Sequence, residues 1–75
     1  MTNNLKVLRA IKNISQEDLA KQIQVSRQTI NAMEKGKYVP STVLALKLSR
    51  FFEKPVEEIF SLESEDSLFL VQQFL

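Results

Sequence analysis

The chain has no cysteine and no histidine among its 75 residues. Their absence excludes disulfides, thiolate zinc sites and imidazole ligands, and removes the usual general base. What remains for acid–base work is carboxylate chemistry, and the obvious pair, Glu57 and Glu58, does not converge. Adjacent residues on a helix point about 100° apart, so helix-dipole pairing and solubility explain these two better. With no nucleophile–base pair, metal cluster or phosphate loop, neither an enzyme nor a cofactor nor a bound metal is expected. One glycine and two prolines leave little punctuation except between helices. No apolar run is long enough to span a membrane, and Met-Thr-Asn-Asn lacks the basic and apolar regions of a signal peptide. A cytoplasmic protein without a membrane partner is therefore the expectation. At this length one domain with a small core is predicted, near the lower limit for unaided folding.

The net charge of +1 conceals an uneven distribution. Residues 1–50 carry nine Lys and Arg against Glu17, Asp18 and Glu34, a balance of +6. Residues 51–75 carry Lys54 against six acidic side chains, a balance of −5. A basic body with an acidic end suits a protein that turns one side toward a polyanion.

The most informative stretch runs from Ser15 to Gly36 and reads as two short helices with a brief break. Ser15 is placed to cap the first, with Glu17 and Asp18 in the opening turn where the positive end of the dipole favours them. Leu19, Ala20 and Ile23 give it one apolar face. Ser26 is placed to cap the second, and Gly36 to end it. At about 100° per residue, Thr29, Ile30 and Met33 share one arc of that second helix. Arg27, Gln28, Asn31 and Lys35 share the opposite one. Such a stripe has the hydrogen-bonding groups that read base edges and phosphates, although a solvated polar face is the commoner meaning.

Three more helices complete the reading. Asn3 or Asn4 can cap a first helix with Leu5, Leu8 and Ile11 turned inward and Lys6, Arg9 and Lys12 on its polar side. Ser41, after Pro40, can cap a fourth, where Leu44, Leu48, Phe51 and Phe52 supply the largest share of core. Val43 and Leu46 lie off that stripe and are candidates for contact with neighbouring helices. Pro55 fits the first position of a short fifth helix whose apolar face is Val56, Ile59 and Phe60. Residues 64–75 form a separate tail, acidic and then strongly apolar (SLFLVQQFL), suited to packing or dimerisation.

Three segments, ISQEDLA (residues 14–20), VSRQTINAMEKGKYVPS (25–41) and ALKLSRFFEKPVEEIF (45–60), resemble the Cro/cI, or xenobiotic-response-element type, helix-turn-helix family of bacterial and phage repressors. The likeness covers roughly residues 4 to 62, and short stand-alone members are closest in layout. It implies an all-α domain of five compact helices over residues 1–63. A short two-stranded pairing of Met1–Asn3 with Phe60–Glu63 is also implied. By the same resemblance Arg9 pairs with Glu34, tying the first helix to the third, while Gln16 touches phosphate and braces the recognition side chains. Glycine is usual in the family at the position of Gln24, where the backbone takes positive φ.

The implied function is sequence-specific binding of double-stranded DNA by a homodimer, with the helix at 26–35 in the major groove of a palindromic site. Arg27 suits a bidentate contact to guanine and Gln28 one to adenine; Asn31 reaches a base edge or phosphate, and Ala32 a thymine methyl. Ser26, Lys35, Lys37, Tyr38 and Thr42 are candidate phosphate ligands, each with a plainer structural reading. Val56, Ile59, Phe60, Leu68, Phe69 and Val71 are expected in the dimer surface. No small-molecule ligand is expected, and a repressor is the simplest regulator. The competing reading is a protein-binding helix-turn-helix module, such as an antitoxin or a bridging factor.

Overall fold

A computed structural model describes residues 1–63 of the chain. Leu68, Phe69 and Val71, and with them every expectation for the tail, lie outside the described residues. The elements in order are β1 (Thr2–Asn3), α1 (Leu5–Lys12), α2 (Gln16–Ile23), α3 (Arg27–Glu34), α4 (Thr42–Phe52), α5 (Val56–Ile59) and β2 (Phe60–Ser61). The two strands pair antiparallel, with Thr2 opposite Ser61 and Asn3 opposite Phe60. This tiny sheet brings the two ends of the helical run together.

Local chemistry starts three of the helices as the sequence predicts. Ser15, Ser26 and Ser41 each accept the backbone N–H three residues on, satisfying a donor that a helix start otherwise leaves open. At Ser15 the arrangement is reciprocal, because the Asp18 carboxylate accepts the Ser15 N–H at 3.1 Å. The first helix begins differently. Asn3, not Asn4, accepts the Leu5 N–H, at 3.1 Å.

Helix ends contradict the scarcity of glycine. Four helices close through a left-handed residue, Asn13 (φ 56°), Gln24 (φ 62°), Gly36 (φ 73°) and Glu53 (φ 55°), and only one of these is glycine. At Gly36 the closure is complete: its N–H donates to the Met33 carbonyl and the next, from Lys37, to that of Ala32, both at 2.9 Å. The same crossed pair closes α1 at Asn13 and α4 at Glu53. Asparagine tolerates this conformation; glutamine and glutamate pay a steric cost of roughly 1 kcal/mol each relative to glycine.

Twelve buried residues form one core, from Leu5 and Leu8 of α1 through Leu19, Ala20 and Ile23 of α2, Ile30 and Met33 of α3, and Leu44, Leu48 and Phe52 of α4, to Ile59 and Phe60. Two inward assignments need correction. Ile11 is 74 % exposed. Steps of three slip about 60° around a helix, so by the third apolar position the stripe has turned away from the core. Arg9 lies closer to the arc of Leu5 and Leu8, and it is the half-buried one. Val43 and Leu46, expected against neighbouring helices, are 64 % and 58 % exposed.

Replacing Gln24 or Glu53 by glycine should leave stability unchanged or raise it, by up to about 1 kcal/mol per site. Urea unfolding reads the change; clear destabilisation at either position would mean that the left-handed turn there is not a source of strain.

Candidate nucleic-acid interface

α2 and α3 are joined by Gln24, Val25 and Ser26. Val25 donates back to Ala20 at 3.0 Å, which turns the chain sharply before Ser26 caps the next helix. α3 is held by one face only. Ile30 and Met33 are wholly buried, each worth about 1.5–3 kcal/mol of transfer free energy. On the opposite face Arg27 and Gln28 are exposed, with Asn31 and Ala32 half-buried beside them. Lys35 and Lys37 follow, exposed, in the loop after the helix.

A connected set of polar side chains underlies that face. Arg9 of α1 grips Glu34 at the end of α3 through two bonds, Nε to Oε2 at 2.6 Å and a terminal nitrogen to Oε1 at 3.0 Å. A third Arg9 bond, also 3.0 Å, reaches the Ile14 carbonyl. The Gln16 amide, at the start of α2, donates to Glu34 Oε1 at 3.1 Å and to Asn31 Oδ1 at 3.3 Å. Arg27 reaches the Gln16 carbonyl oxygen at 3.4 Å, the longest link of the set. Among the described residues no buried side-chain nitrogen or oxygen lacks a partner.

The Glu34 side chain is only 6 % exposed and that of Arg9 14 %. Burial by itself raises the Glu34 carboxyl. The hydrogen bonds from Arg9 and Gln16, with the charges of Arg9 and Lys6, outweigh it and hold the group below the usual carboxylate range. Its hydrogen bond to Glu34 holds Arg9 further into the charged state. Asp18 is also depressed, through its bonds to the Ser15 backbone and hydroxyl.

Two roles were not legible in the sequence. Asn3 sends its amide nitrogen to the Met33 carbonyl at 2.7 Å, so one side chain caps α1 and fastens the far end of α3. Asn4 donates its amide to Glu58 O at 3.1 Å and its backbone N–H to Ile59 O at 2.9 Å, closing α5. Their partners lie 30 and 54 positions along the chain, beyond the reach of any local pattern.

The proposed contacts divide unevenly over the surface. Ser26 is engaged as a cap, its hydroxyl also 2.9 Å from that of Thr29. Tyr38 is 44 % exposed beside α4. Thr42 lines an apolar groove of about 270 Å³ whose other walls include Met1, Val39, Pro40, Ala45, Leu46 and Val56. Of the residues expected in a dimer surface, Ile59 and Phe60 must be withdrawn: they are 0 % and 7 % exposed, consumed by the chain's own core. Val56 stays accessible on the groove wall.

Comparison with known proteins places this arrangement. A family model described as helix-turn-helix matches residues 5–59. The chain belongs to the Cro/cI type of helix-turn-helix regulators. Among its relatives, an uncharacterized HTH-type transcriptional regulator of Methanocaldococcus jannaschii is 54 % identical over 66 residues, which are 88 % of this chain and all of the relative. The regulator YgzD of Bacillus subtilis, also uncharacterized, is 48 % identical over the same shares. The transcriptional activator BcrR of Enterococcus faecalis is 41 % identical over 57 residues, 76 % of this chain but 28 % of BcrR. Regulators of this family are non-enzymatic DNA-binding proteins. In this Cro/cI domain, among the described residues, no helix is long and apolar enough to cross a membrane and no acidic cluster could hold a metal ion.

The buried pair makes two predictions for this helix-turn-helix domain. Arg9→Ala or Glu34→Ala alone should cost about 3 kcal/mol, because each strands a desolvated charge, while Arg9→Met with Glu34→Leu should cost far less. Thermal or urea melts of the three variants decide this, and additive single effects would remove the coupling. Because the folded-state values of Glu34 and Asp18 are depressed, their stabilisation is complete above the ordinary carboxylate pKa of about 4 and is lost as pH falls through the lower folded values. Stability measured from pH 6 to pH 3 should therefore fall below about pH 4, and less steeply in Glu34→Gln.

Proposed function

We propose that this chain is a homodimeric, sequence-specific repressor that lays α3 in the major groove of a palindromic operator. The observation that carries the reading is the division of α3. Its apolar side is spent on the core, and its guanidinium and amide side is left at the surface. Arg27, the first residue of the helix, leads into the groove with five donors in a fork that matches guanine O6 and N7. Gln28 beside it has the donor and acceptor that adenine requires. Ala32 offers a small apolar contact to a thymine methyl. Lys35 and Lys37, with Tyr38, are the groups assigned to phosphates, which hold register without reading sequence.

One such module covers too little DNA for tight binding, and a second copy doubles the contact. The apolar groove beside α4 and α5 supports that second copy. Val39, Val43 and Leu46 are each more than half exposed around it, a concentration that a small monomer seldom leaves in water. Two-fold pairing through this face buries apolar side chains that the fold itself does not use. A dimer on a promoter then represses by occupying DNA that a polymerase needs.

Selection of bound sites from random duplex DNA tests the reading. The expected product is a palindrome whose half-sites are separated by about one DNA turn. On that site Arg27→Ala should lose about 1–3 kcal/mol while retaining most non-specific binding. Leu46→Glu should yield a monomer in sedimentation and weaken operator binding at unchanged fold. If no site is selected and Arg27→Ala changes nothing, the protein-binding module becomes the better description.

A further inference from the structure

We infer that Asn31 meets DNA only as a hydrogen-bond donor, and that Glu34, which touches no DNA, is the specificity-determining residue that makes it so. The inference rests on the proposed entry of α3 into the groove and adds what one of its side chains is able to read.

The argument is an accounting of donors and acceptors. An ionised carboxylate has acceptors alone, so the part of Gln16 that faces Glu34 at 3.1 Å is its amide NH2. The Gln16 carbonyl is thereby turned the other way, toward the Arg27 guanidinium at 3.4 Å, which has donors alone. Both ends of the Gln16 amide are now assigned without appeal to which atom is oxygen and which nitrogen. The second hydrogen of the same NH2 points at Asn31, 3.3 Å away, and only the Asn31 oxygen satisfies it. Turning the Asn31 amide over would set NH2 against NH2. What Asn31 has left to present is its own NH2.

The arrangement is anchored because Arg9 holds Glu34 from the other side with two bonds, nearly out of solvent. Bidentate reading of adenine, which needs an oxygen to accept from the 6-amino group, is therefore closed to Asn31. Open to it are acceptors: a purine N7, guanine O6, thymine O4 or a phosphate oxygen. Gln28 is outside this set of bonds and keeps both its functions.

The test uses the full chain and the site it selects from random duplexes. Wild type and Asn31→Ala are titrated against versions of that site altered one group at a time. Some lose an acceptor, through 7-deazapurines, bases lacking O4 or O6, or single methylphosphonates. Others lose the exocyclic amino group of adenine or cytosine. The expected result is a loss of about tenfold in wild type, absent in Asn31→Ala, for at least one acceptor deletion and for no amino deletion. The base and methylphosphonate arms then separate a groove contact from a phosphate contact. An amino deletion that weakens wild type but not Asn31→Ala overturns the inference, as does an Asn31→Ala protein that binds every duplex like wild type.

Gln16→Met, which leaves the Arg9–Glu34 pair intact, should let the Asn31 amide turn and make binding sensitive to an amino deletion at that position. Glu34→Gln should do the same where it folds, and an unchanged pattern in Gln16→Met also overturns the inference. Failure of the wild type to select any site is a different result, read at the first step: it removes the DNA-binding proposal itself and this inference with it.

Discussion

The contact on which the rest of this structure depends is the two-bonded pair between Arg9 and Glu34. A surface ion pair would be worth little, about 0–1 kcal/mol. This one is nearly closed to solvent, so its net contribution to stability is also modest, but its geometry is demanding. Neither charge tolerates the loss of the other, and only one placement of α1 against α3 lets both bonds form. The pair thus sets register more than it adds stability. Asn3 repeats the lesson with neutral groups, joining the start of α1 to the last turn of α3.

From that fixed point the surface chemistry is organised outward. Glu34 orders Gln16, and Gln16 stands between Asn31 and Arg27. The side chains proposed to read DNA are therefore not independent ornaments on a helix. They are partly pre-arranged by a carboxylate at the helix end, which reduces the side-chain entropy lost on binding. Arg27 is held by the longest link and is the freest of them to leave for a base. On the opposite flank, the groove around Val39, Leu46 and Val56 has no polar network at all, and its chemistry suits association with a like surface.

Several features were legible because they are local. The serine caps, the apolar and polar halves of α3, the αL strain at Gln24 and the closing glycine each depend on residues within one turn of one another. Resemblance to a family added the Arg9–Glu34 pair, which no periodicity could have supplied across 25 positions. Other expectations failed where a local pattern was asked a non-local question. Ile11 follows a spacing of three, yet the short α1 turns its last apolar residue outward and gives the inward place to Arg9. Ile59 and Phe60 look like a free apolar face on a four-residue helix, but the core behind them was too small to do without them.

By itself the amino-acid sequence determined the helices, their starting caps, the two-sided character of α3 and the family, since these follow from short-range hydrogen bonding and the period of the helix. Only the tertiary structure decided which apolar side chains are spent inside and which are left to a partner. It alone showed that left-handed closures fall on Asn13 and Glu53, and that the amides of Asn3, Asn4 and Gln16 reach distant carbonyls and carboxylates. Burial and long-range polar satisfaction are properties of the packed whole: a side chain's partner is set by which helices meet, and that meeting is written in no single stretch of chain.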